Sequence, residues 1–456
     1  MKSTLISSIL LASLAATSLA ACGTDAETPT TPGSTPTQDT TEGTEATPTE
    51  GTQSDGEQTE LTIWAWEPTL ADVVPAFEAA NPDIKVDLQN VGGAGDTYTQ
   101  IDNAIAAGSG APDIAQIEYY AIAQYAIPGR LADLTEQGAG DLADEFTPGT
   151  WNAVTLADSG AVYGLPMDSG PMALFYNEAV FQEAGIDEPP ATWEEFYDAA
   201  VAIRALGENS YITSDNGDAG LATSMMWLGG GQPFGIEDNQ VRIDLGDEGT
   251  VAYAEFWQRL LDEDLINTTV SPWSDDWFRG LGDGSIASLI TGAWMPANLI
   301  GSAPDAAGDF RVAPAPVPEA GTPANAENGG SSLAVLASSE KAEAAYRFLE
   351  FNSVGEGADI RVAGGNFPSS VTKLQDEEYL SYTDEYFGGQ EYNRVLADAA
   401  SNVLEGWSYL PFQVYANSIY GDKIGPAYSG QTTVAEALQD WQTDLEAYAR
   451  QNGFME

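Results

Sequence analysis

The chain has no histidine, one cysteine and only fifteen lysines and arginines against seventy aspartates and glutamates in 456 residues. The missing histidines exclude a Ser-His-Asp triad, a Cys-His pair and the usual zinc sites, so no metal site and no cofactor is expected. The formal charge of −55 repels phosphate backbones and anionic ligands, which argues against nucleic acid and favours an uncharged ligand. An excess of acids also suits a salty milieu, because salt screens their mutual repulsion. Beyond the first twenty residues no apolar run is long enough to span a bilayer.

What is present begins with a leader. Met1 and Lys2 form a small basic start, Leu5 to Leu19 an apolar stretch, and Leu19-Ala20-Ala21 precede Cys22. This is the layout of a secretory signal over 1–21, and its end resembles the bacterial lipobox, whose cysteine is acylated. That resemblance implies lipidation of Cys22 and a place on the extracellular face of the cell membrane, since each buried methylene contributes about 0.8 kcal/mol of anchoring. Residues 22–60 are rich in Thr, Pro and Glu and contain no aromatic side chain, so they read as a disordered tether. A flexible coil of that length reaches about 35 Å.

The remaining body, from Leu61 to Glu456, suits two lobes rather than one core. Leu61–Trp66, Ile84–Leu88 and Pro112–Ile117 read as strands, with helices over Ala71–Ala80 and Tyr98–Ala107 between them. Such βαβαβ order predicts a parallel α/β sheet with covered faces, and ligands bind beyond the carboxyl ends of its strands. Trp66-Glu67 and Glu118-Tyr119-Tyr120 occupy those ends. Val162–Asn177, with glycine and proline breaks between two apolar runs, reads as a crossing between lobes, and Thr192 with Glu195 as a capping box.

Several motifs in fixed order carry a family resemblance. They are Tyr163-Gly164-Leu165-Pro166, Phe175-Tyr176-Asn177, Ala184-Gly185-Ile186 and Pro189-Pro190-Ala191-Thr192-Trp193-Glu194-Glu195-Phe196. Phe278–Trp294 with its Gly-x-Trp end, Asn328–Ser339 followed by Ala342–Phe351, and Gly430–Leu438 agree with them. Together they resemble the extracellular solute-binding proteins of carbohydrate ABC importers, the group that contains the maltodextrin-binding proteins. The resemblance implies a two-lobed α/β clamshell of the type II periplasmic-binding-protein class, with discontinuous lobes joined by a multi-segment hinge. Residues 61–168 and 319–368 would form the N-terminal lobe, and 169–318 and 369–456 the C-terminal lobe. The crossings would fall near Asp168–Pro171, Ala313–Pro318 and Phe367–Ser370.

The implied function is capture of a neutral carbohydrate, an oligosaccharide rather than a monosaccharide, by a monomer that passes it to permease subunits. A sugar needs flat rings for its C–H faces and bidentate groups for its hydroxyls. Placing the strand-end loops on the family picks out Trp66, Glu67, Glu118, Tyr119, Tyr120, Asp168 and Ser169, with Trp294 of the Gly-x-Trp segment as the best platform. Trp227, Phe412 and Tyr415 complete the candidate ligand-binding set. Trp64 reads as core, Trp193 as a structural staple, and Trp227 equally as platform or packing wedge. Tyr119 and Tyr120 are adjacent, so their side chains point apart and only one is expected to face ligand. Trp273 and Trp277, four residues apart, read as helix packing, and Asp215-Asn216-Gly217-Asp218 as a solvated turn. Two rival readings stay open on these residues: a secreted glycoside hydrolase, which needs only two carboxylates, and a cell-surface carbohydrate adhesin.

Overall fold

A computed structural model describes residues 58–156, 159–237, 240–321 and 323–456. The signal segment, Cys22 and all but the end of the tether lie outside them. Four short-period segments build the first sheet: β1 (Thr59–Trp64), β2 (Ile84–Gln89), β3 (Ile114–Glu118) and β4 (Leu165–Pro166). The second sheet takes β5 (Met172–Asn177), β6 (Ser288–Gly292) and β7 (Phe310–Pro314), and β8 (Ser331–Val335) returns to the first. The orders are β2-β1-β3-β8-β4 and β6-β5-β7. β1, β2 and β3 are parallel, as the βαβαβ pattern requires, whereas β8 runs antiparallel to β3. The first sheet is therefore mixed, because the chain re-enters it from the other sheet and not through a crossover helix.

The first strand starts at Thr59, two residues before its apolar alternation, and ends at Trp64 rather than Trp66. Thr59 and Glu60 pair with Ile84 and Lys85, so backbone ladder bonds extend the strand into the polar end of the tether. The intervening helices are Leu70–Ala80 and Ala94–Ala107.

Side-chain alternation divides each sheet's burial between two cores. Leu61, Ile63, Ile114, Leu333 and Val335 face one cluster, and Trp64, Ala115, Ile117 and Ala334 the cluster on the opposite face. On β5, Met172, Leu174 and Tyr176 enter one core while Ala173 and Phe175 enter another. All six residues of β5 are buried, as expected of a strand covered on both faces. Two covered sheets form the two-lobed α/β clamshell. The chain passes from β4 to β5 through residues 167–171, returns between β7 and β8, and leaves the first sheet's side again near Phe367, which joins a core of the second.

Local signals hold where they depend on neighbours in sequence. Thr192 and Glu195 form a capping box on the helix Trp193–Arg204, and Thr433 and Glu436 form one on the helix Val434–Gln451. Trp193 is buried and stacks on Phe256, with ring centroids 4.9 Å apart. Trp64 is core, and its indole N–H donates to Gln89.

Candidate functional site

Residues from both sheets meet around a cavity of about 620 Å³. Glu118, at the carboxyl end of β3, and Tyr120, in the short turn that follows, supply one wall together with Gly329. Trp273, Trp277, Thr291 and Trp294 supply the other. Tyr409, Gln413 and Asn417 close one side.

The Gly-x-Trp segment has a physical explanation. The Trp294 indole N–H donates to the Asn328 carbonyl at 2.7 Å, which holds the ring against the returning chain. A side chain on Gly292 would start 2.3 Å from that indole nitrogen and 2.5 Å from that carbonyl, so only glycine permits the arrangement.

Trp273 departs from its expected place. The helix begins only at Asp275, and Ser274 is its N-cap, accepting from the Trp277 backbone N–H. Trp277 does pack inside, but Trp273 lies ahead of the helix at φ +66° with half of its surface exposed. Its ring sits 5.5 Å from Trp294 at an interplanar angle of 30°. A non-glycine residue in the left-handed region costs of order 1 kcal/mol and persists only where the surroundings hold it there. Pro272 and Ser274 followed by two acids are a helix-start signal, and they could have separated Trp273 from the helix.

The adjacent tyrosines diverge as expected, although they lie in a 3₁₀ turn and not an extended strand. Tyr120 lines the cavity. Tyr119 turns to a second, more apolar cavity of about 650 Å³, and its hydroxyl donates to the Asp168 carbonyl.

Trp66, Glu67, Asp168 and Ser169 border neither cavity. Trp66 meets Tyr98 edge-on at 6.5 Å, and Tyr98 in turn meets Tyr120 at 6.3 Å, so Trp66 supports the wall from behind. Glu67 accepts from Thr69 N–H at the start of the first helix and from the Asn366 amide. Asp168 accepts from Ser331 N–H, and Ser169 donates to Glu327. Both are spent on the crossing between sheets, where Asp168 and Glu327 accept from the Ser331 and Gly170 N–H groups and Ser169 orients Glu327.

Trp227 stacks on Trp407 with centroids 5.1 Å apart, donates to the Leu404 carbonyl and borders the second cavity only. Phe412 and Tyr415 border neither cavity. Phe412 is buried against Tyr448 and Phe454, and Tyr415 stacks on Tyr448 at 3.8 Å. On the helix Gln413–Tyr428 the cavity-facing residues are Gln413, Asn417, Ser418 and Gly421, a stripe three to four residues apart, which leaves Tyr415 on another face. The turn over 215–218 is solvated at Asn216 and Asp218, which are exposed, but not at Asp215. Asp215 is 1% exposed, accepts from Gly217 and Asp218 N–H and from the Trp257 indole, and pairs with Tyr428.

Three carboxyls gather near the crossing, Glu327 buried and Glu118 and Asp168 part-buried. Burial pushes Glu118 up to about 8, helped by the charge on Asp168. Burial likewise raises Glu327 to about 7, against the opposing bonds from Gly170 N–H and Ser169. Asp168 rises to about 6 through burial, with Arg361 and Ser331 holding it back. Each folded-state value lies above the unfolded 3.8 to 4.5, so the stabilisation is complete only below that range and is lost progressively as pH rises from it through about 6 to 8. The thermal midpoint of the ligand-free protein is therefore expected to fall between pH 5 and pH 8. A flat or rising profile in scanning calorimetry would show that these groups ionise without penalty.

Comparison with known proteins agrees with this architecture. The model of the bacterial extracellular solute-binding protein family matches residues 65–351. A lactose-binding protein of Rhizobium radiobacter is 28% identical over 74% of this chain and 81% of its own length. An ABC-transporter-associated binding protein of B. animalis subsp. lactis, solved with β-1,6-galactobiose, is 49% identical over 88% of this chain and 100% of its own, with a TM-score of 0.81. The galacto-N-biose/lacto-N-biose I-binding protein of Bifidobacterium longum, solved with lacto-N-biose, is 26% identical over 88% and 99%, with a TM-score of 0.76. With the family model spanning more than half of its length and both sheets, crossings and cleft in place, the chain belongs to the bacterial extracellular solute-binding proteins.

Proposed function

We propose that this protein is the lipid-anchored, extracellular sugar-binding component of an ABC importer, capturing a neutral di- or oligosaccharide that carries galactose. The observation that carries this reading is the first cavity, where Trp273 and Trp294 offer rings from one sheet's side and Glu118 and Tyr120 offer polar groups from the other's. A ligand shifts an open–closed equilibrium only by its differential affinity for the two states, and contacts from both walls supply that difference. Galactose is common to the sugars named for the three relatives above, which supports the narrower class. The lobes of this reading are 61–168 with 319–368, and 169–318 with 369–456. Capture without chemistry makes the protein a binder and not an enzyme.

Titration calorimetry with β-1,6-galactobiose, lacto-N-biose and lactose, beside maltose as a contrast, tests the ligand class. Binding of a galactoside with no product on prolonged incubation is the expected result; hydrolysis, or silence with every sugar, would overturn it. Saturating ligand is also expected to reduce the radius of gyration in small-angle scattering, and an unchanged profile would contradict closure. Among the described residues no helix is long and apolar enough to cross a membrane. Attachment then rests on Cys22, and Cys22→Ser should release the protein from the membrane fraction into the medium.

A further inference from the structure

Each polar group of Asn328 is bonded to a different residue around the cavity. Asn328 lies buried on the segment that returns from β7 to β8, and it borders the cavity itself. Its backbone N–H donates at 2.7 Å to the Gly170 carbonyl on the first crossing. Its own carbonyl accepts from the Trp294 indole, its Oδ1 accepts from the Thr291 hydroxyl at 3.1 Å, and its Nδ2 donates to Ser224 Oγ at 3.1 Å. Thr291 belongs to β6 and Ser224 to the helix Ala219–Leu228, so one residue joins both crossings to three pieces of the cavity wall.

The chain makes way for the Asn328 carbonyl. A side chain on Gly170 would start 2.3 Å from that oxygen, just as one on Gly292 would meet it from the other side. Two glycines on different elements thus let the backbone close around the atom that anchors the Trp294 ring.

The polarity of the side chain is dictated as well as its shape. Ser224 Oγ lies 2.8 Å from both the Gly220 and the Glu327 carbonyl, and its one proton serves them. Toward residue 328 Ser224 therefore offers a lone pair, which only a donor completes. Asparagine supplies an N–H there and an acceptor for Thr291 on its other arm. Aspartate has the same outline but would set oxygen against oxygen.

We propose that Asn328 is a positioning residue, which locks the Trp294 platform and the Ser224 and Thr291 wall onto the crossing and so sets the pose of the ring that meets the saccharide. This rests on the sugar-binding reading above and adds how the platform is held. With its amide and carbonyl already bonded, Asn328 acts through Trp294 and not by contact with ligand. Because its N–H is tied to the first crossing, a rearrangement of the crossings on closure carries the platform with it.

The test pairs Asn328→Asp with Trp294→Phe, which keeps a ring without the N–H that the Asn328 carbonyl holds. Titration calorimetry of the full chain with β-1,6-galactobiose, and with lacto-N-biose and lactose in turn, should show about a tenfold loss of affinity for Asn328→Asp at unchanged stoichiometry. In the Trp294→Phe background the same change should cost no more than about twofold, because effects that run through one contact do not add. Ser224→Ala, which takes the acceptor from the amide, replaces Asn328→Asp if that variant does not fold. Combined with Asn328→Asp, it should recover part of the loss by removing the opposed oxygen. A ligand-free readout is near-ultraviolet circular dichroism, where the difference between Asn328→Asp and wild type should vanish when both carry Trp294→Phe. Affinities of Asn328→Asp and Ser224→Ala within about twofold of wild type, equal losses in the two backgrounds, or a dichroism difference that survives without the indole overturn the proposal and leave sugar binding standing. Silence of the wild type with all three sugars overturns the sugar-binding reading, and the dichroism comparison then decides whether Asn328 holds the ring.

Discussion

Trp294→Ala is expected to weaken saccharide binding by about 2–4 kcal/mol, roughly 30- to 1000-fold, in titration calorimetry. Two losses combine. The indole is a cavity wall, and removing it takes away a stacking face together with the apolar area that a sugar's C–H surface would cover. It also ends the bond to the Asn328 carbonyl that holds the ring against the returning chain, and it strips support from Trp273, 5.5 Å away. Trp273 in turn sits in a strained backbone conformation that only its packing maintains. Trp294→Phe keeps a ring but not the N–H donor, so it should recover part of the affinity and thereby separate stacking from positioning. Affinity within twofold of wild type for the alanine variant would remove Trp294 from the ligand site.

Arg361→Leu is expected to cost about 3–5 kcal/mol of stability in chemical denaturation, the range found when one partner of a buried ionic network is lost. Arg361 is 2% exposed and donates at 2.5 Å to the Met167 carbonyl and at 2.7 Å to Asn366, which also donates to Glu67. It is the cation that offsets Asp168 at the crossing between sheets. Removing it pushes Asp168 further up, so the variant must either bury an uncompensated carboxylate or hold a proton. The deficit should consequently be larger at pH 8 than at pH 5. A loss below about 1 kcal/mol, or one equal at both pH values, would show that the crossing does not depend on this charge. Arg361→Lys retains the charge without the planar fork and should fall between the two.

The parts of the fold that could be read ahead of the structure are those set by residues close together in sequence. Alternation in Ile84–Gln89 and the Thr192–Glu195 box each draw on a few adjacent positions, and both stand. Trp64 and Trp193 were legible as core for the same reason. The Trp273–Trp277 pair misled because a spacing of four fits a helix, while the cap at Ser274 sets where the helix starts. Phe412 and Tyr415 belong to an aromatic-rich stretch whose apolar residues face the core, and the polar Gln413 and Asn417 turn to the cavity instead. Composition cannot assign those faces, because helical phase relative to a cavity depends on which neighbour covers the other side.

Sequence alone determined the excluded chemistries, the acidic surface, the βαβαβ start and the family motifs, since each depends on composition or local spacing. Tertiary structure alone decided that Glu118, Trp273, Trp294 and Gln413 share one cavity while Asp168 and Ser169 are bonded into the crossing, to Ser331 and Glu327. Burial and charge compensation arise from contacts between residues a hundred or more positions apart, such as Asp168 with Ser331, and no short window of sequence encodes them.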